Sequence, residues 1–153
     1  ERPEGDVVWI HAASIGEFKS ADLLINLLYK NYTILVTTTT LSAANFASKN
    51  YAHKIIHQFA PLDISLWVEK FLNKWRPKLV IWIESDLWPI TMELLKQKSI
   101  KSLLVNVRMS PQSFKKWKKI KFFADSTEWQ DSPPAKDIEL CLANSEYSKK
   151  ASE

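Results

Sequence analysis

Two glutamates occupy positions from which a carboxylate could act as a base. Glu17 ends the motif Ser14-x-x-Glu17 at the predicted start of a helix, and Glu84 directly follows the apolar residues 79–83. A carboxylate within hydrogen-bond reach of a hydroxyl can remove its proton, so both residues are candidate general bases. Both also have a structural interpretation, because Ser14-x-x-Glu17 matches a helix capping box and a helix N-terminus favours an anionic neighbour. The residues alone leave the two roles open.

Hydroxyl, amide and cationic side chains follow the other predicted strands. They are the threonines at 37–40, His57, Gln58, Asn106, Arg108, Asn144 and Ser145. Ligands of an open parallel sheet bind beyond the carboxyl ends of its strands, so these groups are expected at one edge, where they suit a hydroxyl-rich ligand such as a sugar. The alternatives are a helix cap for the threonines and a surface ion pair for Arg108. The histidines have no metal-ligand spacing and are interpreted as structural, and no metal site is expected.

Short apolar segments alternate with amphipathic ones along the chain. The predicted strands are 7–11, 33–38, 54–59, 79–83, 102–106 and 139–143. The predicted helices are 17–30, 41–49, one opened by Pro61 and Asp63 that ends near Trp75, 89–98 and 112–123. Strands that are apolar without alternation are typical of a parallel sheet covered on both faces. The pattern therefore predicts an α/β fold, a Rossmann-like parallel sheet with helices on both faces.

The composition narrows the class of protein. The 153 residues are 46% hydrophobic and 25% charged, which predicts one globular domain over residues 1–153, with a surface loop at 124–137. Two glycines exclude a Walker A loop and a GxGxxG fingerprint, and the single Cys141 excludes an internal disulfide. No apolar run approaches the roughly 18 residues that span a bilayer. Because the chain opens with Glu1 rather than Met, it is expected to be a piece of a longer protein.

The positive charge is concentrated in one segment. Five lysines lie between 115 and 121, and removing them lowers the formal net charge from +4 to −1. They are Lys115, Lys116, Lys118, Lys119 and Lys121. Trp117, Phe122 and Phe123 stand among them, a mixture typical of a helix that lies on an anionic membrane. A solvated helix face remains the alternative, and nucleic-acid binding is disfavoured because no recognition motif accompanies the lysines.

Several motifs together resemble one enzyme family. They are Trp9-Ile-His-Ala-Ala-Ser-Ile-Gly-Glu17, the threonines at 37–40, His57-Gln-Phe-Ala-Pro-Leu-Asp63, Arg76-Pro-Lys, Glu84-Ser-Asp-Leu-Trp-Pro89 and Asn106-Val-Arg-Met-Ser110. In this order and spacing they resemble the N-terminal half of the lipid A Kdo transferases, where Kdo is 3-deoxy-D-manno-octulosonic acid. The chain departs from the family pattern at Asp86, where a glutamate is usual, and at Ala43 and Ala44, where a glycine often follows the threonines.

The resemblance implies a fold and a reaction. Such enzymes are inverting glycosyltransferases of the GT-B fold, which transfer Kdo from CMP-Kdo to a lipid A precursor in lipopolysaccharide biosynthesis, at the cytoplasmic face of the bacterial inner membrane. The chain would be the acceptor-binding domain, inactive alone, and the membrane anchor and the C-terminal donor-binding domain would lie outside it. No cofactor is implied. The partners would be the lipid A precursor, CMP-Kdo through the C-terminal domain, and the anionic membrane surface.

The resemblance also implies roles for individual residues. Glu17 corresponds to the proposed general base and Glu84 to a second functional acid. The expected acceptor-binding residues are Ser14, Gly16, Thr38, Thr39, Ser85 and Arg108. The residues expected at the membrane or at acceptor phosphates are Lys115, Lys116, Lys118 and Lys119.

Two other classes of protein stay open at the level of sequence. A receiver-like regulatory module would need a phosphoacceptor, for which Asp86 is a loose candidate, and a lysine after the fifth strand, where the chain has Asn106-Val-Arg108. A nucleotide-binding Rossmann domain would need the glycines that the chain lacks.

Overall fold

The computed structural model describes residues 3–84 and 88–105. The strands are β1 (Val7–His11), β2 (Thr33–Thr38), β3 (Ile55–Phe59), β4 (Leu79–Ile83) and β5 (Lys101–Val105). The helices are α1 (Ile15–Ser20), α2 (Asp22–Leu28), α3 (Leu41–Tyr51), α4 (Ser65–Trp75) and α5 (Pro89–Gln97).

The five strands form one parallel sheet in the order β3-β2-β1-β4-β5. β1 lies at its centre and pairs with β2 through Trp9 and Leu35 and with β4 through Trp9 and Val80. Every residue of β1 is buried, as a strand covered on both faces requires. The predicted α/β Rossmann-like fold is confirmed. A receiver-like module is excluded, because receivers place β3 next to β1 and this sheet places β2 and β4 there.

Aromatic side chains fill the core. Phe18 of α1 packs against Phe46 and Tyr51 of α3, with ring centroids 5.6 and 5.0 Å apart. Trp9 of β1 packs against Phe71 of α4 at 4.7 Å and against Trp82 of β4 at 5.5 Å. Burying a ring system of this size removes roughly 150–250 Å² from water, so these contacts hold the helices to the sheet.

Two predicted helices differ from the observed ones. The predicted helix 17–30 is divided at Ala21, whose N–H is shared between the carbonyls of Glu17 and Phe18, a tight 3₁₀-like turn. Ile25 of α2 is buried, whereas Leu27 is 69% exposed. α4 begins at Ser65 rather than at Pro61 or Asp63, because the carboxylate of Asp63 caps a different helix.

The remaining predictions about organisation are not tested. The predicted helix 112–123, the loop 124–137 and the strand 139–143 lie outside the described residues. The described residues up to Leu104 belong to one compact unit, and the single domain over 1–153 stays a prediction. None of the helices in the described ranges has the length and apolar character that crossing a bilayer requires.

Candidate functional site

The carboxylate of Glu17 is held at the carboxyl end of β1. Its Oε2 accepts a hydrogen bond from the backbone N–H of Ala13 at 2.7 Å, and its Oε1 accepts one from the hydroxyl of Ser14 at 2.9 Å. The Ser14 hydroxyl in turn accepts from the N–H of Glu17 at 3.3 Å and caps α1. The capping box inferred from the sequence is therefore present, except that the backbone donor is Ala13 and not Ser14. It holds a half-buried carboxylate in one orientation at the edge where ligands of such sheets bind.

Threonines that follow β2 hold the turn in front of Glu17. The carbonyl oxygen of Ala13 accepts hydrogen bonds from the N–H of Thr39 at 3.3 Å, from the Thr39 hydroxyl at 3.2 Å and from the Thr40 hydroxyl at 3.4 Å. Thr40 also caps α3, because its hydroxyl accepts from the N–H of Ala43 at 3.3 Å. The helix-cap alternative is thus correct for Thr40, while Thr39 is exposed and turned toward the loop of Glu17.

The preceding two threonines face the interior. Thr37 and Thr38 are completely buried. The hydroxyl of Thr38 lies 2.9 Å from Nε2 of His57, and burial lowers the pKa of that imidazole. Thr38 is therefore placed to act on a ligand only through a neighbour, whereas Thr39 is accessible directly.

His11, a histidine without metal-ligand spacing in the sequence, is completely buried. The indole N–H of Trp9 donates to the hydroxyl oxygen of Thr37 at 2.8 Å, and that oxygen lies 2.9 Å from Nδ1 of His11. A hydroxyl carries one proton, so the Trp9 N–H, the Thr37 hydroxyl and Nδ1 of His11 are all paired when Thr37 donates to Nδ1. The neutral imidazole then keeps its proton on Nε2. Loss of solvation on burial lowers the pKa of His11 to about 4, which keeps it neutral near pH 7.

Aromatic rings from β4 and from the residue before α5 pack against His11. Its ring centroid lies 5.1 Å from that of Trp82, its register partner on β4, and 4.6 Å from that of Trp88. Within the described part of the chain, His11 Nε2 and Trp82 Nε1 are the buried side-chain polar atoms that lack a hydrogen-bond partner. The sequence signal for this group was a histidine at the end of an otherwise apolar strand. Its neighbours Trp82 and Trp88 could not be inferred, because they come from a distant part of the chain.

Glu84 follows β4 in an unusual backbone conformation. Its φ is +68°, in the left-handed region, which costs a residue other than glycine roughly 1–2 kcal/mol. Strain of this kind is found where surrounding structure imposes it, and it is frequent at functional sites. Because β1 and β4 are neighbours and α1 contacts β4, the loops that begin after His11 and Ile83 start at the same edge of the sheet.

Asp63 connects the loop after β3 with the helix after β4. One carboxylate oxygen accepts from the backbone N–H and from the hydroxyl of Thr91, at 2.8 and 2.7 Å, and the other accepts from the N–H of Ile90 at 3.2 Å. Trp88, the residue before α5, supplies no side-chain cap of its own. The sequence pattern predicts Asp63 at the start of α4 and does not indicate this cap, because its two partners are 28 residues apart.

The other predicted site residues divide into two groups. Gly16 is exposed, and a Cβ there would meet only the Ser14 hydroxyl, at 3.7 Å, so packing within the chain does not require glycine at this position. Ser85, Arg108 and the four lysines Lys115, Lys116, Lys118 and Lys119 lie outside the described residues. Residues 3–84 and 88–105 contain no group of three or more histidine, cysteine or acidic side chains that could hold a metal ion.

A family model and several similar sequences carry the same family description. A family model described as 3-deoxy-D-manno-octulosonic-acid transferase (kdotransferase) matches residues 1–151. The chain is 43% identical over 120 residues to a 3-deoxy-D-manno-octulosonic acid transferase of Rickettsia felis, covering 76% of the chain and 26% of the relative. It is 40% identical over 119 residues to a probable mitochondrial 3-deoxy-D-manno-octulosonic acid transferase of Arabidopsis thaliana, covering 76% of the chain and 27% of the relative. A bifunctional glycosyltransferase/methyltransferase of Fusobacterium nucleatum is 30% identical over 125 residues, covering 79% of the chain and 20% of the relative. The chain thus spans about a quarter of the length of the first two.

Proposed function

Because the chain belongs to the 3-deoxy-D-manno-octulosonic-acid transferase family, we propose that it is the acceptor-binding part of a Kdo glycosyltransferase of lipopolysaccharide biosynthesis. The donor is CMP-Kdo, bound mainly by a C-terminal domain of a GT-B enzyme, and the acceptor is a lipid A precursor. The observation that carries the proposal is the orientation of the Glu17 carboxylate by Ala13 and Ser14 at the edge of the sheet.

Glu17 is the general base in this proposal. As the acceptor hydroxyl attacks the anomeric carbon of Kdo, its proton passes to the Glu17 carboxylate and the bond from that carbon to the phosphate of CMP breaks. Attack on the side opposite the leaving CMP inverts the anomeric centre. Each oxygen of Glu17 already accepts one hydrogen bond, and a carboxylate oxygen has a second lone pair with which it can accept a hydroxyl. The open space beside Gly16 leaves room for that hydroxyl to approach.

Other residues are assigned to the acceptor. Glu84 is the second functional carboxylate, and its left-handed backbone is consistent with a position set by function. Ser14 and Gly16 are assigned to direct contacts with the acceptor, and Thr38 and Thr39 support this surface from the end of β2. Ser85 and Arg108 are assigned to the acceptor because of the motifs in which they stand.

An amphiphilic acceptor is also supported by an apolar edge surface, formed by the end of β3, the loop after it and the first turn of α4. Its members are 50–65% exposed and are Phe59, Leu62, Ile64, Leu66 and Trp67. Exposed apolar side chains in such a group are typical of interaction sites, and acyl chains are a chemically matched partner. Together with Lys115, Lys116, Lys118 and Lys119, this surface is proposed to lie against anionic lipid at the cytoplasmic face of the inner membrane.

The same geometry disfavours nucleotide binding by this domain alone. In Rossmann domains that bind dinucleotides, the pyrophosphate sits on the N-terminus of the helix after the first strand. Here the Ser14 hydroxyl caps α1 through the N–H of Glu17, and the Glu17 carboxylate accepts from the N–H of Ala13 just before the helix, so a phosphate would meet a negative charge.

The test uses a full-length transferase that carries this chain as its N-terminal part. Transfer of Kdo from CMP-Kdo to a lipid A precursor is measured for the wild type, Glu17→Gln and a matched control, Glu93→Gln, which changes an exposed carboxylate on α5. Loss of a general base lowers the rate about 10²–10⁴-fold, whereas the control keeps the wild-type rate. Activity of Glu17→Gln within a few-fold of the wild type would contradict the assignment of the base.

A further inference from the structure

The hydroxyl of Thr39 contacts the turn that holds the carboxylate of Glu17. It donates to the carbonyl oxygen of Ala13 at 3.2 Å, and the N–H of the same Ala13 donates to Glu17 Oε2 at 2.7 Å. Ala12 is tied to β2 as well, because its N–H donates to the carbonyl of Thr37 at 3.0 Å. The turn that carries the donors to Glu17 is thus anchored by the end of the neighbouring strand, 26 residues away in sequence.

We propose that Thr39 is a positioning residue for the proposed base, acting through Ala13. A carboxylate that must accept a proton from a bound hydroxyl has to be placed to within a fraction of an ångström, and the N–H of Ala13 sets where Oε2 lies. The hydroxyl of Thr39 is the nearest of three donors to the carbonyl of this same residue, the others being the N–H of Thr39 and the hydroxyl of Thr40. This rests on the proposed function of Glu17 and gives Thr39 a task different from direct contact with the acceptor.

The two roles of Thr39 predict different kinetics. A residue that positions the base affects the chemical step, so its loss lowers kcat and leaves the acceptor KM nearly unchanged. A residue that only binds the acceptor affects KM. The structure offers a substitution that separates the hydroxyl from the shape of the side chain, because Thr39→Val keeps the branched side chain and the backbone N–H bond to Ala13 and removes only the hydroxyl.

The first measurement is amide hydrogen exchange on the chain without any substrate. In Thr39→Val the amide of Ala13 should exchange about fivefold faster, the effect of losing one neutral hydrogen bond. Thr39→Ser, which keeps the hydroxyl, should restore the wild-type rate. Thr33→Val is the matched control, because Thr33 lies at the opposite end of β2 and its hydroxyl donates to Glu4 instead.

The second measurement is steady-state transfer by the full-length transferase with the same three variants. We expect kcat of Thr39→Val to fall about tenfold with an unchanged acceptor KM, and Thr39→Ser and Thr33→Val to retain the wild-type kcat. An unchanged Ala13 exchange rate in Thr39→Val, or a raised KM with a normal kcat, would overturn the proposal. An inactive wild-type transferase would contradict the proposed function instead, and the exchange of Ala13 would still decide whether Thr39 restrains this turn.

Discussion

Asp63 and Thr91 join the loop after β3 to the first turn of α5, across 28 residues of sequence. The Asp63 carboxylate accepts from both the backbone N–H and the hydroxyl of Thr91, at 2.8 and 2.7 Å. Thr91 is completely buried, so its hydroxyl would have no access to water if this partner were lost. The cap therefore stabilises α5 and fixes the chain that comes directly after the segment 84–89.

The Asp63 cap is expected to stabilise the fold measurably. Asp63→Ala should lower the free energy of unfolding by about 1–2 kcal/mol, because two helix N–H groups and a buried hydroxyl lose their acceptor. Asp63→Asn should cost less, since the amide oxygen can still accept. Urea denaturation measures both, with Glu69→Ala on the exposed face of α4 as a control that should change stability by less than about 0.5 kcal/mol. Equal stabilities of Asp63→Ala and the control would show that the cap contributes nothing.

The buried His11 should make the stability of the chain depend on pH. Its folded-state pKa of about 4 lies below the ordinary value of 6.5, so the unfolded chain binds the proton first as pH falls. Above pH 6.5 His11 is neutral in both states and does not affect the free energy of unfolding. As pH drops from 6.5 to 4, protonation of His11 in the unfolded chain lowers that free energy by roughly 3 kcal/mol.

Urea denaturation at several pH values between 7 and 4 isolates this effect by comparison with His11→Asn. The stability difference between wild type and His11→Asn should shrink as pH falls, whereas His53→Asn, at an exposed position, is the matched control. A difference that stays constant over this range would show that His11 is protonated equally in both states. Nitrogen NMR of the wild type should find the proton of the neutral imidazole on Nε2.

The chain by itself should not bind CMP with micromolar affinity. The donor site is proposed to lie in the C-terminal domain, and the N-terminus of α1 is occupied by Ser14 and Glu17. Calorimetric titration of CMP into the chain should give no measurable heat of binding at micromolar concentrations. Glu17→Gln, which removes the repelling charge, tests the electrostatic part, and binding that appears only in this variant would support it. A micromolar dissociation constant for the wild-type chain would contradict the assignment of the donor to the other domain.

The chain should bind anionic vesicles and bind neutral ones weakly. Replacing Lys115, Lys116, Lys118 and Lys119 by glutamine should abolish co-sedimentation with anionic vesicles at low salt, because each lysine near such a surface contributes roughly 1 kcal/mol. A control with the same loss of charge replaces the exposed lysines Lys30, Lys49, Lys70 and Lys101. High salt should weaken binding, since exposed charges are screened over about 10 Å at 0.1 M. Equal binding by the two quadruple variants would mean that the segment 115–119 is only a solvated helix face.

The apolar edge surface makes a separate contribution to the same binding. Trp67 is 57% exposed in the first turn of α4, and Trp67→Ser should reduce vesicle binding at both salt concentrations, because burial of a ring in lipid is not screened by ions. Leu23→Ser, at an exposed apolar position on α2, is the control. If both variants bind equally well as the wild type, the apolar edge surface does not contact lipid.

The local hydrophobic pattern was sufficient to locate the strands of the sheet. The bounds predicted for β1, β2 and β4 coincide with the observed Val7–His11, Thr33–Thr38 and Leu79–Ile83. Strands buried on both faces have to be apolar throughout, so burial leaves a continuous signal in the sequence itself. The capping box of Ser14 and Glu17 was equally readable, because both partners lie within one helical turn.

Tertiary structure decided what the polar side chains near the edge do. The hydroxyl of Thr39 bonds Ala13, Asp63 caps α5, and Thr37 links Trp9 to His11. The partners in these contacts are 26–28 residues apart. No local period encodes such a contact, because it depends on which strands become neighbours and in which register. The order β3-β2-β1-β4-β5 fixes the neighbours, and the pairing of the strands fixes the register. A hydrogen bond needs its donor and acceptor placed to within a few tenths of an ångström, which only the assembled sheet provides.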